Sequence, residues 1–364
     1  MRLLLVLITL FIAAPALAQK SDTSWLSLNE HLAPQKKGGI YPAIVIQQNN
    51  RWVLYALQPD TSFVLVMSFL DRKLRTRDGA FAAYQAGKKP LVTGSYRNNL
   101  PDSTWSFYDE KGNLLQKGQM SLGQMTGDWT FYTGGRKRSV LHHESQQDTR
   151  LPQVTEPANG SLLALNNIRQ RIHGPAIFYY PDGAVKDSGA YFNDRMHGEW
   201  IHRYENGRLQ GSGNYTNDSL TGTWSWFRKD GSQATIEQYR RNKLVSIECF
   251  DTEGKPSGNS CPVLQRPYPI GSFTNFSLYA ENNLFIPDTL KGVIAHGEVK
   301  MRVSISSTGK LVSVKTLLAT HPLLASEAEA FFHSFTEWSP AIIHNMYADY
   351  DVEYELYFTR FKQE

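Results

Sequence analysis

The chain has 364 residues, of which 41% are hydrophobic and 20% charged, and its formal net charge is +4. That hydrophobic fraction excludes wholesale disorder, which needs low hydrophobicity and high net charge. A surplus of four positives without a Lys/Arg cluster excludes a nucleic-acid footprint. The 8 Trp, 18 Tyr and 18 Phe stand beside 27 Gly and only 2 Cys, a mix that predicts many short strands joined by Gly turns.

Met1–Ala18 opens with Arg2, runs apolar from Leu3 to Ala14 and ends Ala16-Leu17-Ala18 before Gln19. A basic start, an apolar middle and a small-x-small end describe a secretory signal peptide. The alternative is an uncleaved anchor, but a spanning helix needs about 20 apolar residues. This run is shorter and is interrupted by Pro15. No other segment reaches spanning length without charges, so no stable transmembrane segment is expected after cleavage. Residues 19–75 read as a β lead-in with strands at Ile40–Gln47, Arg51–Leu57 and Ser62–Phe69. They would cover the first edge of the array that follows, since exposed edges invite pairing with other chains.

Residues 76–258 repeat with a period of 24: Phe81, Trp105 and Trp129 in one run, Ala176, Trp200 and Trp224 in another. Each unit reads Gly-x-Trp, then an aromatic, then a turn Gly such as Gly112, Gly207 or Gly231. A further Gly opens the next strand (Gly94, Gly118, Gly189, Gly213), and a polar pair such as Asn98-Asn99 or Asn217-Asp218 follows. Asn-Gly and Asp-Gly favour tight hairpins because Gly accepts positive φ. Trp105/Phe107, Trp129/Phe131 and Trp224/Trp226 are two apart, so each pair shares a strand face. The fold class is therefore mainly β, an antiparallel hairpin meander. One hairpin alone is marginal, so neighbours must share the aromatic layer. Arg136–Arg171 breaks the period and contains Pro152, Pro157 and Gly160, and it reads as an irregular insertion.

The units resemble MORN-type repeats, in particular the bacterial variant Gly-x-Trp…Tyr…Asp/Asn-Gly…Gly-x-Tyr-x-Asn. The resemblance covers about Gly79–Gly254 and implies a scaffold, a membrane-associated module or a toxin-neutralising antitoxin.

Cys249 and Cys261 flank a Gly/Pro-rich loop, and export into an oxidising compartment permits a disulfide between them. Two Cys alone lack the four ligands of a structural zinc site. Pro262–Pro269 holds three prolines and marks a boundary, with a small α+β domain over 262–364. Val299, Met301, Val303 and Ile305 alternate as a half-buried strand. Ser307–Lys310 is a turn and Leu311–Leu317 the return strand. His321-Pro322 opens a helix, with Thr320 as its N-cap, and Leu324, Ala328, Phe331 and Phe335 lie on one helical face. Tyr350, Val352, Tyr354, Leu356 and Phe358 form an apolar strand face opposite Asp351, Glu353 and Glu355. Strand, turn, strand, helix, Trp338-Ser339-Pro340-Ala341 and a final aromatic strand resemble the C-terminal domain of TonB-family energy transducers. The resemblance implies a periplasmic or secreted setting in a Gram-negative envelope. It also implies a partner, an envelope protein or receptor peptide, bound as an added strand along Tyr350–Phe358.

The sequence carries no His-Glu-x-x-His, Walker loop, Gly-x-Ser-x-Gly or Cys-x-x-Cys. Ser307 and Lys310 match Ser-x-x-Lys but fall in a turn rather than at a helix start. His142-His143-Glu144 offers metal-ligand types without further partners, and His197 and His202 flank Trp200 as ordinary surface or aromatic-layer residues. The sequence thus predicts no catalytic residue, metal or cofactor. A non-catalytic interaction protein is the leading reading, with a toxin neutraliser and a glycan-binding envelope enzyme as alternatives.

Overall fold

The computed structural model describes residues 23–29, 34–35, 38–58, 63–84, 89–144, 171–271 and 276–361. The expected signal peptide lies outside them, as do residues 145–170 of the insertion. The chain is 62% strand and 8% helix, a long antiparallel hairpin meander with two helices near the C-terminus. It divides into two compact units, Met1–Gly198 and Glu199–Glu364.

In the first unit the lead-in strands are Tyr41–Gln48, Arg51–Leu57 and Phe63–Phe69, each paired antiparallel to the next. Two more strands precede them: Thr23–Leu28 pairs with Tyr41–Gln48, and Pro34–Gln35 pairs with the end of Thr23–Leu28. Their alternate residues build the core around Leu28, Val45, Leu54, Leu65 and Met67. The repeat hairpins continue that core through Phe81, Tyr96, Trp105 and Trp129. Phe81 stacks on Trp105 at 5.4 Å and Tyr96 meets both edge-on. The shared aromatic layer is thus continuous from unit to unit, as the spacing predicts. Arg136–His143 is a regular strand, paired to Gln124–Thr133 and to Ile172–Tyr179. The irregular insertion therefore begins later than Arg136, because Gly134 and Gly135, both at positive φ, close one more tight hairpin.

The repeat signature has a physical reason at each position. The indole of Trp129 lies flat on Gly118, where an added Cβ would come within 2.3 Å of the ring. Trp105 covers Gly94 and Trp224 covers Gly213 in the same way. Each indole N–H then donates to a backbone carbonyl: Trp129 to Gln119 at 2.9 Å and Trp224 to Asn214 at 3.1 Å. Gly112, Gly207 and Gly231 have φ of +83°, +78° and +95°, the bulge position of a three-residue hairpin loop. At the opposite ends, two-residue turns hold both residues at positive φ. Asn99 and Asn242 each exchange two hydrogen bonds with the residue 22 earlier, Arg77 and Leu220, through side-chain oxygen and backbone N–H.

In the second unit the last repeat hairpins pack with the C-terminal domain. Cys249 and Cys261 form a disulfide with Cα atoms 6.2 Å apart. The Pro-rich segment is no free linker: Leu264–Gln265 pairs with Ala341–Ile343, and Tyr268–Pro269 pairs with Trp338–Ser339. The domain has a three-stranded antiparallel sheet with Gly297–Ile305 in the centre, Leu311–Ala319 on one side and Tyr350–Phe358 on the other. Helix Pro322–His333 buries Leu324, Ala328, Phe331 and Phe332 against it. The N-cap of that helix is His321 rather than Thr320, since its Nδ1 accepts from Leu323 N–H. Thr320 is held instead by Glu298, whose N–H donates to its hydroxyl at 2.9 Å.

Candidate functional site

The five residues singled out on the last strand all face the helices. Val352, Leu356 and Phe358 are buried in the core, and Tyr350 and Tyr354 are packed partly against it. Burial pushes the Tyr354 hydroxyl up to about 12. These side chains hold the sheet to its helices, so what the strand leaves open to a partner is its backbone edge and its other face. Tyr350–Phe358 pairs with Gly297–Ile305 over nine residues in one unbroken register. Its other edge has no strand partner over Tyr350–Phe358 among the described residues; the isolated bridge from Ile286 reaches only Phe361. The opposite edge of the sheet differs. Along Leu311–Ala319 the register breaks twice, leaving Val312 and Leu317 as extra residues. Bulges of this kind twist an edge and spoil it as a pairing template.

The open face of the sheet is charged. Lys300 lies 3.1 Å from Glu353 and 3.5 Å from Glu355, and Arg302 lies 2.8 Å from Glu353. Hydrogen bonds from Arg302 and Lys300 hold the Glu353 carboxyl below its usual range.

The domain is fixed to the array by a polar cluster that sequence reasoning missed. In the 24-residue series Gly94, Gly118 and Gly213 carry an indole, but the residue after Gly213 in that series is Glu237, and Glu248 stands where the next Trp would be. The ring that meets Glu237 is His344, from the turn between Ala341–Ile343 and Met346–Ala348. Its Nδ1 lies 2.9 and 3.0 Å from the two carboxylate oxygens of Glu237, and its ring stacks on Trp226 at 3.7 Å. Glu237 is fully buried and also accepts from Tyr239 at 2.7 Å and Thr235 at 2.9 Å. Burial alone would raise the Glu237 carboxyl; the bonds from His344, Tyr239 and Thr235 outweigh it and hold the group low. Burial and the Glu237 carboxylate both push the Tyr239 hydroxyl up. Asn345 completes the joint, donating through Nδ2 to the Phe250 carbonyl at 3.0 Å.

The residues of the other chemical patterns do not converge. His142 binds Asp128 at 2.7 Å, Glu144 lies 3.3 Å from His173, and His143 turns inward, its ring pushed down by burial. No group of three metal-ligating side chains occurs among the described residues. Ser307 and Lys310 sit in the tight turn between two strands, closed by the bond from Gly309 N–H to the Ser306 carbonyl. His202 stacks with Trp224 and Trp226 inside the aromatic layer, and His197 is exposed beside Phe192.

Residues 196–217 match the MORN repeat variant. The matched MORN stretch carries Trp200, the turn at Gly207 and Gly213, on which Trp224 lies. No curated protein matches the chain. No helix among the described residues is long and apolar enough to cross a membrane.

Proposed function

We propose that this chain is a non-catalytic protein-interaction scaffold of the cell envelope, exported by its N-terminal signal. The MORN-type array is the support, and the C-terminal domain docks an envelope protein or receptor peptide as an added strand. The observation that carries this reading is the contrast between the two sheet edges. One is bulged twice, while Tyr350–Phe358 is regular along nine residues and open. A regular edge offers the alternating N–H and C=O groups that strand addition requires. The similarity to TonB-family C-terminal domains supports the same edge, a periplasmic setting and a link to TonB-dependent transport.

The test is a photo-crosslinking scan of the full chain in cells. A photoreactive residue at Glu355, on the open strand, is expected to crosslink an envelope protein. The same residue at Val245, exposed on the array, is expected to give no such product. A crosslink from Val245 alone, or from neither position, would overturn the assignment of docking to this domain.

A further inference from the structure

We propose that the Tyr350–Phe358 edge selects a basic amphipathic strand and rejects a second copy of itself. This inference rests on the docking reading above and adds the chemistry of the partner. Along the last strand the residues on the open face are Asp351, Glu353, Glu355 and Tyr357, all exposed. The cations that balance the carboxylates come from the inner side only. Lys300 and Arg302 stand on the central strand, opposite Glu355 and Glu353, and Lys315 lies one strand further away, opposite Arg302. Over Asp351–Glu355 the face therefore grades from basic on its inner strands to acidic at the open edge, and Glu298 on the central strand stands beyond that stretch, opposite Tyr357. A strand added along Asp351–Glu355 would set every second side chain beside a carboxylate whose cation lies on the far side. Opposite charges at cross-strand positions stabilise a pair and like charges destabilise it. Lys or Arg at those alternate positions fits. The intervening residues would turn to the helix side, next to Tyr350 and Tyr354, and apolar side chains fit there.

The same pattern works against self-pairing. Two copies of this strand joined antiparallel about their centre pair like face with like face. Glu353 then meets Glu355 of the other copy, twice over, while Asp351 meets Tyr357 and Tyr354 meets itself. Edge charges of this kind are a known means by which sheets avoid joining edge to edge. The occupant that the charge pattern favours is therefore a basic strand from another protein.

Three nine-residue peptides decide it, each with Val at alternate positions and Lys, Gln or Glu between. Their dissociation constants are measured with the full chain, and amide hydrogen exchange locates the contact. The Lys peptide is expected to bind at least about tenfold more tightly than the Glu peptide. The gap is expected to close near 1 M salt and in the Asp351→Asn, Glu355→Gln double variant. New protection is expected along Tyr350–Phe358. Equal affinity of all three peptides would overturn the charge selection while leaving docking intact. Binding of none, or protection along Leu311–Ala319 instead, would overturn the docking reading itself. If the double variant fails to fold, the peptide series and its salt dependence on the unaltered chain still decide.

Discussion

Gly213 and Gly222 are nine residues apart and do opposite jobs. Gly213 lies under the Trp224 indole, where a Cβ would come within 2.3 Å of the ring; Gly222 sits in open space at φ +67°. Ala at 213 must push a fully buried Trp, an overpacking cost of about 1–3 kcal/mol. Ala at 222 meets nothing and bears only the left-handed backbone cost of about 1–2 kcal/mol. The expected outcome is that both variants lower the urea midpoint, but only Gly213→Ala changes the near-UV dichroism of the Trp layer. Unchanged near-UV spectra in both would contradict the packing account. The sequence shows both glycines as periodic marks. It does not show that Gly222 lies at a register shift inside the strand Ser219–Phe227, and it does not show why Gly213 is needed. That reason depends on which residue of the next strand lies across the glycine, and cross-strand register is not written in a local pattern.

Short elements were the ones the sequence hid. Ala341–Ile343 and Met346–Ala348 are three residues each, too short to display a period, so the hairpin carrying His344 went unread. Long alternating elements such as Tyr350–Phe358 and Gly297–Ile305 were legible because five or more alternate residues face one core. The hidden hairpin is nonetheless what Glu237 depends on. His344→Ala leaves a fully buried carboxylate with only Tyr239 and Thr235, and breaking such a pair costs about 3–5 kcal/mol. Removing Glu237 as well, in Glu237→Gln with His344→Ala, should recover part of that loss, which a double-mutant cycle measures. The pH dependence has a definite sign. Folding holds the Glu237 carboxyl below its usual range, so its contribution is present above the ordinary carboxyl pKa and fades as pH falls through the lowered folded value. In His344→Ala, burial is less offset and the folded value rises. Acid unfolding should then begin at higher pH than in the unaltered chain. Coincident acid transitions would show that the joint contributes no such linkage.

At the scale of the whole chain, three prolines mark a boundary at Pro262–Pro269, and the structure builds two short strands there, Leu264–Gln265 and Tyr268–Pro269, each paired into the domain they lead into. Proline count signals an inability to donate hydrogen bonds, and a segment can satisfy that at a sheet edge as well as in a linker. The disulfide then has a specific place. Cys249 is on the last long repeat strand and Cys261 directly precedes the prolines, so the bond closes the loop through which the array hands the chain to the domain. Closing a loop of this length contributes about 2–3 kcal/mol. Because both cysteines belong to Glu199–Glu364, that contribution is confined to one unit. Replacing both with Ser, or reducing the bond, should raise amide exchange along Lys243–Phe250 and in the Glu237–His344 joint. Exchange along Leu100–Tyr108 and Gln124–Thr133 in the first unit should stay as it was. Uniform acceleration across both units would mean that the chain unfolds as one body and that the disulfide stabilises all of it. Acceleration confined to the second unit would make the redox state of the disulfide a condition for holding the Tyr350–Phe358 edge in order, since that edge and the disulfide share the same unit.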